Sequence, residues 1–327
     1  MAYIKAPSKV FPISAFISDL PSNLFPPSLQ LSSENGPVTG RLVIIGDVHG
    51  MRKSLEALLD KINFDKSKGD HLILTGDLIN KGPDSPGVVD IAMRLGASAV
   101  RGNHENAVLN AAAEIDATRD KLHSGDLNGS PPASENLATD LPKDTFKGEV
   151  PEECPPSNSH NTALALSKRQ LDWLADLPFI LRVKLPHTLT SSLGDTLLVV
   201  HAGLVPSIPL EEQDPHAILH MRSLTRTSGD EDEFKAAELP GEESWVIEWD
   251  RWQDTLTSKT TVVFGHDAKR RLQLGRYTIG LDSGCLYGHH LSAVVIAASQ
   301  GEIEHRVVQV ECADEPVAPT TSVKEDR

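Results

Sequence analysis

The sequence predicts an α/β fold, built on a mostly parallel β-sheet with helices packed against it. Short apolar runs rich in Val, Ile and Leu alternate with helical patterns in the first third of the chain. This strand–helix–strand order is typical of parallel sheets. The last predicted strands follow one another with little helix between them, which favours an antiparallel portion. The 327 residues are enough to bury a sizeable core.

Three strands and three helices are predicted in the first third. The helix after the first strand carries Leu55, Leu58, Leu59 and Ile62 on one face, at amphipathic spacing. The strands are RLVII (41–45), HLILTGD (71–77) and ASAVRGNHE (97–105), and the helices are MRKSLEALLDKINF (51–64), SPGVVDIAMRLG (85–96) and one from about Asn106 to Leu122.

A segment rich in Pro, Gly, Ser and acidic residues interrupts this pattern from about 124 to 159, and its composition predicts a disordered insertion. Regular elements then resume, and they are the helix LSKRQLDWLADLP (166–178) and the strands FILRVKL (179–185), TLLVVHAG (196–203), TTVVFGHD (260–267), RYTIGLDSG (276–284) and LSAVVIAAS (291–299). We therefore expect an N-terminal arm on the domain surface (1–40), a single domain (41–312) and a disordered acidic tail (313–327).

Charge and cysteine content limit the partners and the cellular compartment that we expect for this protein. With 31 Lys and Arg against 46 Asp and Glu, the formal net charge is −15, which argues against non-specific binding to nucleic acid or anionic membranes. The three cysteines are odd in number and widely spaced, which favours free thiols in a reducing compartment. No apolar run approaches the roughly 20 residues of a membrane span, and we expect a cytoplasmic protein.

Five of the predicted strands end in the same way, with a small residue and potential metal ligands around it. The motifs are GDVHG (46–50), GDLINKGP (76–83), RGNHE (101–105), VHAG (200–203) and FGHD (264–267). Ligands of α/β proteins bind at the carboxyl ends of strands, where the adjacent loops converge. The motifs together offer eight oxygen or nitrogen ligands, which are Asp47, His49, Asp77, Asn103, His104, His201, His266 and Asp267.

These ligand types indicate a metal site. Each motif alone is explained as readily by a turn, a helix cap or a buried histidine, but five such explanations in order are improbable. Carboxylate, imidazole and amide ligands without thiolate suit Mn²⁺, Fe or Zn²⁺ and argue against a structural zinc. The set is large enough for two ions sharing a bridging aspartate, an arrangement that clamps a phosphoryl group for in-line attack.

The five motifs, in this order, resemble those of the calcineurin-like metallophosphoesterases of the phosphoprotein phosphatase superfamily. KGPDS (81–85), HAG (201–203) and FGHDA followed by GLDSGCLYG (280–288) are most similar to the symmetrical dinucleoside tetraphosphatase branch, which includes fungal endopolyphosphatase-like relatives. The resemblance covers roughly 41–298 outside the insertion. It implies a four-layer α/β/β/α sandwich of mixed sheets and two divalent ions, with Mn²⁺ preferred and Fe, Zn²⁺, Co²⁺ or Mg²⁺ as alternatives.

The resemblance also implies roles for individual residues. The first metal would be held by Asp47, His49 and Asp77. The second would be held by Asp77 as the bridge together with Asn103, His201 and His266. His104 would be the general acid that protonates the leaving oxygen. Phosphate oxygens would be bound by Lys81, Arg101 and Arg222.

One departure from the superfamily bears on the substrate. Protein phosphatases place an Asp three residues after the bridging Asp, where it orients the acid histidine, but this chain has Asn80 followed by Lys81. An amide does not stabilise imidazolium as a carboxylate does, and lysine holds phosphate as a point charge. Both differences favour substrates with good leaving groups, such as anhydrides. The alternative is that Asn80 and Lys81 are loop residues without a functional role.

Other features allow two interpretations each. Asp267 is either a partner of His266 or a turn residue, and Asp282, Ser283 and Gly284 are expected to turn the chain near the site. The tryptophans at 245, 249 and 252 have the spacing of one helical face, which favours core packing over a platform for a stacked base.

Three functions follow from the sequence. The first is a two-metal phosphatase that uses metal-bound hydroxide on a small anionic substrate, either a dinucleoside polyphosphate of the Ap4A type or inorganic polyphosphate. The second is a serine/threonine protein phosphatase with the same metal core. The third is a catalytically silent binding scaffold, which an intact ligand set disfavours. The sequence identifies no protein partner.

Overall fold

A computed structural model describes residues 10–29, 40–123, 158–227 and 233–318. All but the last two residues of the predicted insertion, and the tail beyond 318, lie outside this part of the chain. The strands are β1 (Ile17–Asp19), β2 (Leu42–Ile45), β3 (His71–Leu74), β4 (Ser98–Ala99), β5 (Ile180–Lys184), β6 (Thr190–Ser191), β7 (Thr196–Val199), β8 (Ser223–Arg226), β9 (Phe234–Ala237), β10 (Thr260–Phe264), β11 (Gln273–Leu274), β12 (Thr278–Gly280), β13 (His290–Ser299) and β14 (Glu302–Glu311). The α-helices are α1 (Arg52–Ile62), α2 (Ser85–Leu95), α3 (Asn103–His123), α4 (Asn158–Ala165), α5 (Lys168–Ala175), α6 (Pro215–His220) and α7 (Trp245–Thr255).

Most of the strands form two mixed sheets of six. The first has the order β4-β3-β2-β13-β14-β6, in which β2, β3 and β4 are parallel and β13 runs antiparallel to both β2 and β14. The second has the order β1-β5-β7-β10-β12-β11, in which β7, β10 and β12 are parallel. Of the last predicted strands, β13 runs antiparallel to its neighbours, which are β2 and the unpredicted β14, whereas β12 pairs in parallel with β10.

Alternate residues of the central strands face different layers. Val43 and Ile45 of β2 join a core beneath the helices α1 and α2, while Leu42 and Ile44 join a core shared with the second sheet. In β10, Val263 enters that shared core, and Val262 and Phe264 face α6 and α7. Three cores thus separate four layers, and the predicted α/β/β/α sandwich is confirmed.

Two of the three tryptophans are core residues and do not form a platform for a stacked base. Trp245 and Trp249 are buried in the core beneath α7, and Trp249 Nε1 donates a hydrogen bond to Thr260 O at 3.1 Å. Their rings are therefore core residues, as the helical spacing favours.

The predicted N-terminal arm is in part a structural element. Residues 17–19 form β1, which pairs in parallel with β5 at the edge of the second sheet. Phe11 N donates to Asn106 Oδ1 at 2.8 Å, and the Phe11 ring packs against the helical core. A three-residue strand carries too little periodicity to be recognised in a proline-rich segment.

The described start of the tail is also ordered, which corrects the expected disorder from 313 onward. Asp314 is buried, and its carboxylate accepts hydrogen bonds from Ser54 N at 2.9 Å and Ser54 Oγ at 2.7 Å in the first turn of α1. The prediction of free thiols is wrong for two cysteines, because Cys285 and Cys312 form a disulfide. In the part of the chain described here, no helix is long and apolar enough to cross a membrane.

Candidate metal centre

The five motifs meet at one end of the sandwich. Loops after β2, β3 and β4 bring their residues from the first sheet, and loops after β7 and β10 bring theirs from the second. A cavity of about 540 Å³ opens there, and its lining includes Asp47, His49, Asp77, Asn103, His104 and His266. His201 lies fully buried behind it, within reach of Asp77 and His266.

Asp77 lies between two groups of potential ligands. Its Oδ2 is 3.5 Å from His49 Nε2, and its Oδ1 is 3.4 Å from His201 Nε2. Two atoms that bind one ion at about 2.1 Å and a tetrahedral angle are about 3.4 Å apart. The two oxygens of one carboxylate therefore face two different sites, as expected for a bridging ligand.

Backbone carbonyls fix the tautomer of three imidazoles. His49 Nδ1 faces Ile79 O at 3.3 Å, His201 Nδ1 faces Thr75 O at 3.0 Å, and His266 Nε2 faces His220 O at 3.2 Å. A carbonyl can only accept, so each of these nitrogens carries the proton. Burial lowers the pKa of all three rings, which keeps them neutral and leaves the other nitrogen of each as a lone pair toward the centre.

Those lone pairs converge on oxygen atoms. Asn103 Oδ1 is 2.9 Å from His201 Nε2 and 3.2 Å from His266 Nδ1. The only N–H of each ring already donates to a backbone carbonyl, and Asn103 Oδ1 has no hydrogen to donate. A hydrogen bond therefore does not account for these contacts. A bound cation satisfies all three atoms at once, and N/O donors of this kind suit a divalent transition metal.

The carboxylate of Asp47 is part of the same cluster. It accepts hydrogen bonds from His266 N at 3.0 and 3.1 Å, while burial and the neighbouring Asp282 and Asp77 raise its pKa well above the usual value. Burial also raises the pKa of Asp282 to about 6. Acidic groups this crowded need a positive charge to ionise together, which a divalent ion supplies.

The backbone is shaped around these side chains. His49, Asp77 and His266 have φ values of 48°, 49° and 69°, a left-handed conformation that costs free energy in non-glycine residues. A Cβ at Gly265 would overlap Asp47 Oδ1, and one at Gly102 would overlap Asp77 Oδ1. The described residues thus form two groups that could each hold a divalent ion, and the groups share Asp77: one contains His49 and His104, and the other contains His201 and His266.

His104 differs from the other three histidines. Its Nδ1 faces the amide nitrogen of Asn80 at 2.9 Å, and its Nε2 is 3.9 Å from Asp77 Oδ2. The amide can only donate, so Nδ1 accepts and the neutral ring carries its proton on Nε2, which faces the centre. Burial lowers the pKa of His104 to about 4. His104 thus offers the centre an N–H donor, where the three others offer lone pairs.

The orientation of the Asn80 amide is itself determined by its neighbours. Its Oδ1 accepts hydrogen bonds from Thr162 Oγ1 at 3.0 Å and Lys81 N at 3.1 Å, and its Nδ2 also donates to Ser159 Oγ at 3.1 Å. Asn80 is therefore a positioning residue for His104, and its amide donates a hydrogen bond to the ring.

Glu105 is a buried residue of the site to which the sequence assigned no role. Its carboxylate accepts hydrogen bonds from the backbone nitrogens of Asp77, Leu78 and Gly102 at 2.8 Å each. Burial raises its pKa to about 7. The available signal was its place at the end of RGNHE, in the first turn of α3, where acidic residues are common for unrelated reasons.

The basic residues predicted to bind phosphate do not all reach the cavity. Lys81 and Arg222 line it, but Arg101 does not. The guanidinium of Arg101 is fully buried and donates to Phe11 O at 3.0 Å and Ala175 O at 2.5 Å. Arg101 therefore anchors the N-terminal segment, because its side chain leaves the strand end on the side away from the cavity.

Asp267 pairs with a residue other than His266, the partner in one of its two predicted interpretations. The carboxylate forms an ion pair with Arg270 at 2.6 Å, and the ring of His266 instead donates to the His220 carbonyl. The turn interpretation of Asp267 is the one that the geometry supports. Asp282 and Gly284 line the cavity as well, with Asp282 beside Asp47.

Comparison with known proteins agrees with this site. The family model for calcineurin-like phosphoesterases matches residues 40–292. A zinc-dependent endopolyphosphatase of Saccharomyces cerevisiae is 29% identical over 282 residues, which cover 83% of this chain and 81% of the yeast protein. A symmetrical bis(5′-nucleosyl)-tetraphosphatase of Paracidovorax citrulli is 27% identical, over 84% of this chain and 99% of the bacterial protein.

A solved structure adds the same relationship in three dimensions. It is a crystal structure of a protein provisionally named a diadenosine tetraphosphatase, with a TM-score of 0.58, 30% identity, and coverage of 90% of this chain and 98% of the other. The fold and the centre define a metal-dependent hydrolase. The chain belongs to the calcineurin-like phosphoesterase family, as its motifs predicted.

Proposed function

We propose that this protein hydrolyses phosphoanhydride bonds of dinucleoside polyphosphates or inorganic polyphosphate, with two divalent ions at the centre described above. The observation that carries the proposal is the arrangement around Asp77, where three histidines present lone pairs and the fourth, His104, presents a proton. Similarity to an endopolyphosphatase and to a bis(5′-nucleosyl)-tetraphosphatase supports the substrate class. Mn²⁺ is the expected metal, with Zn²⁺ as the alternative suggested by the yeast relative's name.

Each residue has a defined task in this proposal. Two bound ions supply Lewis acidity and activate water for attack on phosphorus. Lys81 and Arg222, both half-buried in the cavity wall, bind the phosphoryl oxygens that gain negative charge. His104 donates a hydrogen bond from its Nε2–H to the leaving oxygen, and Asn80 holds the ring in the required tautomer.

The contact between Asn80 and His104 also favours anhydrides over phosphoesters of serine or threonine. An amide N–H directed at Nδ1 opposes protonation of that nitrogen, so the ring acts as a neutral hydrogen-bond donor, not as imidazolium. A phosphate leaving group needs little protonation, whereas an alkoxide needs a full proton. The second candidate, a protein phosphatase, requires the stronger acid.

The test is a comparison of kcat/KM for Ap4A, long-chain polyphosphate and a phosphoserine peptide, with Mn²⁺ and with Zn²⁺. We expect an anhydride to be the best substrate. Asp77→Asn should lose both bound metal and activity, whereas Asp116→Asn, an exposed residue of α3, should lose neither. A clear preference for the phosphopeptide would overturn the anhydride proposal. Hydrolysis of none of the three by wild type would support the scaffold alternative.

A further inference from the structure

The cavity contains two basic residues that sequence reasoning did not single out. Lys269 and Arg271 line it together with Lys81 and Arg222. Lys81 and Arg222 are half-buried, and their charges lower the pKa of nearby imidazoles, so they lie next to the metal centre. Lys269 and Arg271 are exposed and therefore form an outer pair on the side of the second sheet.

The outer pair is held on a constrained turn after β10. Asp267 O accepts hydrogen bonds from the backbone nitrogens of Arg270 and Arg271 at 3.1 Å each, and Arg271 has a φ of 60°. Arg270 pairs with the Asp267 carboxylate and donates to Arg222 O at 2.8 Å. The middle residue of the run Lys269–Arg270–Arg271 thus ties the turn to the inner Arg222.

None of the four cavity cations forms an ion pair with a carboxylate among the residues that the structure describes. Five acidic residues line the same cavity, but Asp47, Asp77 and Asp282 lie together at the metal centre, Asp267 pairs with Arg270 and Glu238 pairs with His216. These carboxylates therefore have other partners, which leaves the four cations available to an anionic ligand. A volume of about 540 Å³ lies within the range of sites that bind molecules much larger than one phosphate.

We propose that Lys269 and Arg271 form an outer anion subsite, which binds phosphates of a polyphosphate chain beyond the one being cleaved. The proposal rests on the function proposed above and makes it more specific. Lys81, Arg222 and the centre hold the reacting phosphate, which a phosphomonoester also has. Only a substrate with further phosphates places charge between Lys269 and Arg271, so the outer pair selects polyanionic chains.

The test uses the double variant Lys269→Gln/Arg271→Gln in the full chain with Mn²⁺. Its KM for long-chain polyphosphate at low salt should rise about tenfold, while kcat/KM for p-nitrophenyl phosphate stays within twofold. The control is Lys235→Gln/Arg276→Gln, which removes the same charge from two exposed residues outside the cavity. The control variant should have the wild-type KM for polyphosphate and the wild-type kcat/KM for p-nitrophenyl phosphate. The salt dependence of its KM should also match that of the wild type.

A second readout separates this proposal from the proposed function. Tripolyphosphate and orthophosphate are compared as inhibitors of p-nitrophenyl phosphate hydrolysis, so that no anhydride needs to be the best substrate. The outer subsite predicts that the double variant loses affinity for tripolyphosphate but not for orthophosphate. Equal changes for both inhibitors, or no change for either, would overturn the subsite even where polyphosphate hydrolysis itself is observed.

Discussion

The carboxylate of Glu105 lies 2.8 Å from the backbone nitrogen of Asp77, the residue whose side chain faces both halves of the metal centre. The other Glu105 contacts run to Leu78, Ile79 and Gly102. One buried acid thus holds the loop after β3 against the start of α3. The left-handed backbone of Asp77 depends on such contacts to persist.

Replacing this carboxylate should weaken the fold and the metal site together. Glu105→Gln keeps one acceptor oxygen and turns an amide toward N–H donors, so about two hydrogen bonds are lost. The free energy of unfolding should fall by about 2–4 kcal/mol, and metal affinity about 10–100-fold. Urea unfolding and metal titration measure these effects. Glu114→Gln, on the exposed face of the same helix, should change neither.

The tautomer of His104 can be reversed by one substitution. Asn80→Asp replaces an N–H donor at Nδ1 with a carboxylate, which accepts a hydrogen bond from Nδ1–H and stabilises imidazolium. Hydrolysis of phenyl phosphate, which has a poor leaving group, should rise about tenfold relative to p-nitrophenyl phosphate. Steady-state kinetics on the two esters give the ratio. Asn63→Asp, an exposed residue after α1, should leave it unchanged, and an unchanged ratio in Asn80→Asp would contradict the assigned tautomer.

Arg101 should matter for stability and not for substrate binding. Arg101→Lys keeps the charge but cannot reach both Phe11 O and Ala175 O, and it loses the contacts with the Phe11 and Phe179 rings. We expect the free energy of unfolding to fall by about 2–3 kcal/mol, with KM within twofold of wild type. Thermal unfolding and kinetics are measured beside Arg94→Lys on the surface of α2. A large rise in KM at unchanged stability would contradict this role and indicate that Arg101 binds substrate.

The disulfide joins a cavity loop to the end of β14. Cys312 N donates to His289 O at 2.9 Å and Val317 N donates to Leu286 O at 2.8 Å, so residues 312–317 are attached to the loop that carries Cys285. The bond closes a 27-residue separation, for which chain entropy predicts about 3.5 kcal/mol of stabilisation.

Cys312→Ser should therefore lower Tm, and dithiothreitol should lower Tm of the wild type but not of the variant. Thiol titration of denatured, unreduced protein should find one free thiol among the three cysteines, since two are paired. A count of three would contradict the bond.

Much of the fold could be predicted because the spacing of apolar residues along each strand and helix is a local pattern. The strand β2 and helix α1 follow from apolar spacing alone, and the five strand-end motifs specify which residues are candidate ligands. The strand β14 was not predicted, since its sequence EIEHRVVQVE mixes charges with apolar residues at a half-exposed position. The pairing of Cys285 with Cys312 depends on the neighbour relations of β13 and β14, which no local pattern contains.

The sequence by itself determined the family, the layered fold and the candidate metal ligands, because these depend on residue type, order and spacing. Only the tertiary structure decided which basic side chains enter the cavity. Arg101 and Lys81 both belong to strand-end motifs, yet packing against Phe11 and Phe179 turns Arg101 away. The direction of the Asn80 amide was decided by Thr162, 82 residues distant. Side-chain direction at the end of a strand is set by the neighbours that the fold assembles, and those neighbours come from elsewhere in the chain.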